Sequence, residues 1–234
     1  MPKPKPKNII VLSDGTGNSA AKFNKTNVWR TYEALDLSDP TKQIAYYDDG
    51  VGTSMFKPLA LVTGAIGFGL SRNVRQLYAF LCRNYNPGDR IYGFGFSRGA
   101  FAVRSLMGFI EAVGLPKTNK LVKERELARL YAMYRKRACK PVVRPSWTVE
   151  APVQFLGLWD TVGALAFGHW INGYHAISPG NVRHVCHAVA LDEERKLFWP
   201  ELWAASNRPG QTVEEVLFAG SHTNGGGGYT DARL

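Results

Sequence analysis

The sequence predicts an α/β fold in which a mainly parallel sheet is flanked by helices, and three observations carry that prediction. Short apolar runs at Asn8 to Leu12, Gln43 to Tyr47, Ile91 to Phe96, Val153 to Trp159 and Val216 to Ala219 have the length of strands, and several are rich in β-branched or aromatic residues. Segments of helical period separate the early runs, and an alternation of strand and helix is the pattern of a parallel sheet. A length of 234 residues suits one such domain with a buried core.

Residues 1–7, Met-Pro-Lys-Pro-Lys-Pro-Lys, alternate lysine with proline and predict a flexible, solvated basic tail. No apolar core follows these lysines before the first strand, so they are not a secretory signal. The domain is then expected over 8–234. Its first strand stops at Ser13-Asp14-Gly15-Thr16-Gly17-Asn18. An Asp-Gly-Thr triplet after a strand also marks aspartyl-phosphate enzymes, whose nucleophilic carboxylate lies two positions before that Asp. Leu12 stands there in this chain, which excludes that chemistry. Thr26 or Asn27 caps a helix expected to run through Leu35. Leu59 to Leu70 is apolar and contains Gly64, Gly67 and Gly69, but Lys57 and Arg72 bracket it too closely for the ~20 residues of a membrane span, so a buried or lid-like segment is expected. Val74, Leu77, Tyr78 and Leu81 mark an amphipathic helix with Arg72, Arg75 and Arg83 on its outer side.

Pro87-Gly88-Asp89 breaks the chain before the strand at Ile91, and Val103, Leu106, Met107 and Ile110 recur at helical spacing after it. Beyond Gly114-Leu115-Pro116 comes a basic helix striped by Leu127, Leu130, Tyr131 and Tyr134. Thr161 to Pro179 scatters aromatics and glycines and is expected to pass irregularly over the sheet edge. His184 and His187 have the spacing of one helical face; with no carboxylate or thiol set beside them, a structural role is expected rather than a metal site.

Hydrophobic content of 45% and charged content of 21% exclude global disorder and a polytopic membrane protein. The net charge of +10 is unevenly placed. Residues 117–140 hold nine Lys or Arg against two Glu, and Lys3, Lys5 and Lys7 supply the rest of the excess, so a basic helical insertion rides on a neutral body. Such a helix suits an anionic membrane surface. A non-catalytic module binding anionic membrane or nucleic acid through 117–140 is the alternative reading. Nucleic acid is the weaker partner, because Tyr131 and Tyr134 are thin for base stacking and no nucleic-acid fold motif is present. Cys82, Cys139 and Cys186 lie far apart without a Cys-x-x-Cys pair, which argues against a disulfide framework or zinc knuckle and for a reducing, cytoplasmic compartment.

The chemistry-bearing stretch is Gly95-Phe96-Ser97-Arg98-Gly99, the spacing of a nucleophile elbow, in which a strand turns so sharply into a helix that the serine hydroxyl projects from the bend. A turn that tight leaves no room for a Cβ two residues before or after the serine. Asp160 and His222 also follow strands, and in an open parallel sheet residues past the carboxyl ends of strands converge on one crevice. Their order, Ser97 then Asp160 then His222, is that of the α/β-hydrolase triad. A serine hydroxyl needs a neutral imidazole to take its proton, and the carboxylate fixes the imidazole tautomer. The backbone N–H of Arg98, with that of Gly15 or Thr16, is the candidate oxyanion hole. Gly225 to Gly228 lack a following Lys-Ser or Lys-Thr and are not a phosphate loop. No cofactor is called for.

These motifs also carry a family resemblance. Leu12 to Thr16, Tyr47 to Thr53, Gly93 to Ala100, Trp159-Asp160-Thr161-Val162-Gly163, His187 to Glu193 and the His222 glycine motif together resemble the uncharacterised α/β-hydrolase family that includes type VI secretion phospholipase effectors. The resemblance spans nearly the whole chain and implies a serine hydrolase of carboxylic esters, lipid esters among them, with Ser97, Asp160 and His222 as its triad. The family reads His-Ser-Asp before its glycines and commonly continues into further helices; this chain reads His222-Thr223-Asn224. The expectation is therefore a sheet without those C-terminal helices.

Overall fold

Both faces of β1 (Asn8–Ser13) are apolar, and a strand of that kind is stable only between two covering layers. The computed structural model describes residues 5–15, 24–50, 65–137, 140–163, 178–195, 198–204 and 208–229. In it β1 lies inside a six-stranded sheet with β2 (Gln43–Asp48), β3 (Arg90–Phe96), β6 (Val153–Trp159), β7 (Val182–Ala190) and β8 (Thr212–Phe218). The order is β2-β1-β3-β6-β7-β8 and every pairing is parallel. Two short strands, β4 (Leu115–Pro116) and β5 (Thr148–Val149), pair antiparallel outside it.

One face buries Ile9, Val11, Ile91, Val153 and Leu156 in a core shared with α2 (Ala65–Asn84), α3 (Arg98–Val113) and α4 (Glu124–Arg135). The helical stripes read from the sequence are the buried ones: Val74, Leu77, Tyr78 and Leu81 on α2, and Leu127, Leu130, Tyr131 and Tyr134 on α4. The other face packs Ile10, Leu12 and Phe96 against Val28 of α1 (Asn27–Glu33), with Tyr32, Tyr47, Phe94 and Trp159 around them. Thr26 is the cap of α1, its hydroxyl accepting from the Trp29 N–H at 3.2 Å. Toward β8 the described residues leave a groove of about 230 Å³ on this second face, lined by Phe94, Phe155, Trp159, Ala188, Val216 and Phe218. No helix among the described residues is long and apolar enough to cross a membrane.

Several expectations change. His184 and His187 lie on strand β7, not a helix, and three residues apart on a strand means opposite faces. Among the described residues the basic insertion is helical only over Glu124–Arg135, which holds three Arg and two Glu; the remaining basic residues flank it. Charges of both signs in the insertion are engaged: its Glu124 pairs with Arg75 of α2 at 2.8 Å, and its Lys120 Nζ sits 3.9 Å from the Trp147 ring centre. The basic tail is tied down at its end, since Lys7 Nζ meets Asp89 at 2.5 Å. The first half of the expected buried or lid-like segment (59–64), most of the excursion after Thr161 (164–177) and Cys139 lie outside the described residues; the second half of that segment, 65–70, opens α2.

Candidate active site

Ser97 occupies the bend between β3 and α3 with φ 57° and ψ −127°, a conformation that non-glycine residues adopt only when their surroundings enforce it. Both flanking glycines do the enforcing. A Cβ on Gly95 would come within 2.6 Å of Ala100 Cα, and one on Gly99 would overlap the Ser13 carbonyl oxygen. The strand must therefore touch its own helix, and the helix must touch the end of β1. The Ser97 N–H donates to the Trp159 carbonyl at 3.0 Å, and its own carbonyl accepts from Val162 N–H at 3.3 Å, so the elbow is stitched to the end of β6.

Asp160 is the residue immediately past β6, where parallel register sets Trp159 beside Phe96. It is fully buried, with a left-handed φ of 39°. Its Oδ1 accepts from Ala190 N–H at 2.9 Å, and its Oδ2 lies 2.5 Å from His222 Nδ1. His222 Nε2 lies 2.8 Å from Ser97 Oγ. A carboxylate accepting from Nδ1–H leaves Nε2 bare to accept the serine proton. The histidine opens α5 (His222–Gly226) and its ring lies between Phe96 (4.6 Å between centres) and Phe198 (5.1 Å). The glycine run has a packing use. A Cβ on Gly226 would overlap the Phe96 ring, and Gly227 bridges to Thr26 at the cap of α1.

Two carboxylates past β7, which sequence reasoning gave no role, hold the histidine loop. Asp192 Oδ2 accepts from Gly220 N–H at 2.6 Å, and Glu193 Oε2 accepts from His222 N–H at 3.2 Å. Glu193 is in turn gripped by the Arg195 guanidinium at 2.7 Å, a hydrogen bond that outweighs burial and holds its carboxyl down to about 2. Their sequence signal was the His187 to Glu193 motif, which entered the family resemblance without a role for either carboxylate.

The oxyanion candidates divide. Arg98 is the first residue of α3, so its N–H belongs to the helix-end donors that no turn of the helix satisfies. Gly15 N–H is directed instead at Asp14 Oδ1, 2.6 Å away. Asp14 also accepts from Thr26 Oγ1 (2.5 Å) and Tyr47 OH (2.6 Å), yet burial still raises its carboxyl above the ordinary value. Thr16 lies outside the described residues. Among the described residues no group of three or more His, Cys, Asp or Glu is placed to hold a metal ion. His184 meets Thr212 Oγ1, and the buried His187 lies between Thr161 and the partly exposed Glu215.

Residues 7–234 match the family described as "T6SS, Phospholipase effector Tle1-like, catalytic domain". An uncharacterized protein of Saccharomyces cerevisiae is 30% identical over 218 residues, covering 82% of this chain and 32% of the yeast protein. The crystal structure of an uncharacterized protein from Pseudomonas aeruginosa superposes with a TM-score of 0.56 at 18% identity, over 96% of this chain and 42% of the other, a likeness of fold. A thermophilic esterase from Thermogutta terrifontis aligns with a TM-score of 0.45 at 15% identity, over 98% of this chain and 77% of the other. The chain thus spans about a third of the curated relative's length.

Proposed function

The chain belongs to the family of T6SS phospholipase effector Tle1-like catalytic domains, and on that premise we propose that it is a serine hydrolase of lipid carboxylic esters that works through an acyl-enzyme. One observation carries the reading: Ser97, His222 and Asp160, distant in sequence, form a continuous buried hydrogen-bonded chain of 2.8 and 2.5 Å. Ser97 Oγ attacks the ester carbonyl while His222 Nε2 takes its proton, and Asp160 stabilises the imidazolium so formed. The tetrahedral intermediate collapses as His222 returns that proton to the departing alcohol. Water then repeats the sequence on the acyl-enzyme, releasing the carboxylic acid and free Ser97. The oxyanion is held by the Arg98 N–H and by the Gly15 or Thr16 loop, where it competes with Asp14 Oδ1 for the Gly15 N–H. A phospholipid bilayer presents such esters, and an anionic one adds an attraction for the basic residues around α4.

A fluorophosphonate probe tests this directly, because only an activated serine reacts with it. Labelling is expected at Ser97 alone, and Ser97→Ala should lower turnover of a short p-nitrophenyl ester by roughly 10⁴-fold or more. Losses from Ser97, Asp160 and His222 variants should not add, since the three act as a unit. Wild-type turnover in Ser97→Ala would sink the proposal.

A further inference from the structure

Behind the candidate triad lies a second pairing of imidazole and carboxylate, its imidazole buried and its carboxylate partly exposed, to which the reaction above gives no role. His187 is 1% exposed. Its Nε2 is 3.1 Å from the Thr161 N–H, and its Nδ1 is 2.7 Å from Glu215 Oε1. An amide N–H can only donate, so Nε2 is bare and the ring proton sits on Nδ1, donated to Glu215. The Thr161 hydroxyl lies 3.1 Å from the same Nε2. Glu215 also accepts from Trp203 N–H at 2.8 Å. Burial pushes its carboxyl upward, but the hydrogen bonds from His187 and Trp203 and the charge of Arg104 outweigh it and hold it below the ordinary range.

The position of this pair gives it consequence. Thr161 directly follows Asp160, whose left-handed φ of 39° persists only while neighbours hold it. The Asp160 N–H donates to the Ala188 carbonyl (2.7 Å), the Thr161 carbonyl accepts from Glu201 N–H (2.7 Å) and Val162 N–H donates to the Ser97 carbonyl (3.3 Å); the bond from Thr161 N–H to His187 adds a restraint at the residue next to Asp160. Glu201, Leu202 and Trp203 are fixed from below by buried Arg104, which donates to the first two carbonyls and sits 5.0 Å from the Trp203 ring centre. Glu215 therefore joins two restraints on Asp160, one through His187 and one through the 201–203 segment.

We propose that His187 and Glu215 are positioning residues for the reaction: by accepting the Thr161 N–H in one fixed tautomer, they hold the strained Asp160 turn so that Oδ2 stays on His222. The inference rests on the serine-hydrolase reading above. A carboxylate displaced by a fraction of an ångström no longer orients the imidazole in the transition state, while substrate binding is untouched. Misplacement of about 1 Å costs on the order of 100-fold in rate.

The test is ester hydrolysis by the intact chain, with competent sites counted by fluorophosphonate titration so that misfolded protein does not enter the rate. His187→Ala is expected to lower kcat by about 10- to 100-fold with KM within about twofold. Glu215→Gln keeps an oxygen able to accept from both Nδ1–H and Trp203 N–H and should stay within about threefold of wild type, whereas Glu215→Leu should fall as His187→Ala does. If His187→Ala does not fold, the Glu215 pair decides alone. In an Asp160→Asn background, His187→Ala should change kcat by less than about twofold, because its effect passes through Asp160. Equal kcat per titrated site in wild type, His187→Ala and Glu215→Leu would overturn the inference and leave a stability role only. Additive losses with Asp160→Asn would overturn it as well. Full activity in Ser97→Ala would instead remove the hydrolase reading on which it stands.

Discussion

A Cβ on Gly99 would overlap a backbone carbonyl at the end of β1, and backbone cannot step aside as a flexible side chain can. Gly99→Ala should therefore push α3 away from β1, at a cost on the order of 1–3 kcal/mol, with activity falling because Ser97 lies two residues away. Urea unfolding and ester turnover measure the two effects, and an unchanged midpoint with unchanged turnover would refute the close approach. Gly99 and its partner Gly95 were readable because the constraint is local: five residues contain both the strained serine and the glycines that permit it. His187, Glu193 and Glu215 were not readable as site residues. His187 meets Glu215 because parallel register sets them side by side on β7 and β8, and register is written nowhere in either strand alone.

At the scale of the element, α4 shows what periodicity resolves and what it leaves open. Its stripe was visible because residues three and four apart share a face, and Tyr131 and Tyr134 now pack at 5.3 and 5.4 Å from Phe109 of α3. Its charge was overstated, because the excess of the 117–140 segment sits largely in the flanks. Arg129 and Arg135 on the helix and Lys123 and Lys136 at its ends are exposed. At moderate salt each basic residue near an anionic bilayer contributes on the order of 1 kcal/mol. Changing those four to Glu should thus weaken sedimentation with phosphatidylglycerol vesicles and slow hydrolysis of vesicle lipid, while a short soluble ester is hydrolysed as before. Added salt should mimic the substitution. Equal vesicle binding by a variant with native circular dichroism would make this an ordinary solvated surface.

In the whole molecule, the loop carrying His222 is closed by groups from another strand, and that closure is sensitive to acid. Glu193 is held at about 2 against an ordinary 4.5, and its side chain is 2% exposed. A carboxyl whose native value is depressed stabilises the fold above its unfolded value and loses that contribution as pH falls toward the native one. The stability gap between wild type and Glu193→Gln should be full near pH 6 and shrink below about pH 4.5. Urea midpoints across that range measure it; a gap independent of pH would mean that Glu193 does not act through its charge. Cys82 behaves as a core residue of the same body. Burial pushes its thiol up to about 12, so iodoacetamide at pH 8 should spare it until the chain is unfolded. Alkylation in the native state at the rate of an exposed thiol would contradict that burial.

From the sequence alone came the parallel α/β class, the elbow, and the order of Ser97, Asp160 and His222 along the chain. Each of these is set by short-range sterics or by strand period, and both operate within a few residues. The tertiary structure decided the rest: Glu193 and Asp192 closing on the histidine loop, Gly226 giving its space to Phe96, Gly15 N–H turned toward Asp14, and a sheet face covered by α1 at one side and, among the described residues, grooved toward β8. Those contacts join residues that are mostly far apart in the chain. They exist only once strand order, register and loop closure have brought them together, and no local pattern of side chains encodes that geometry.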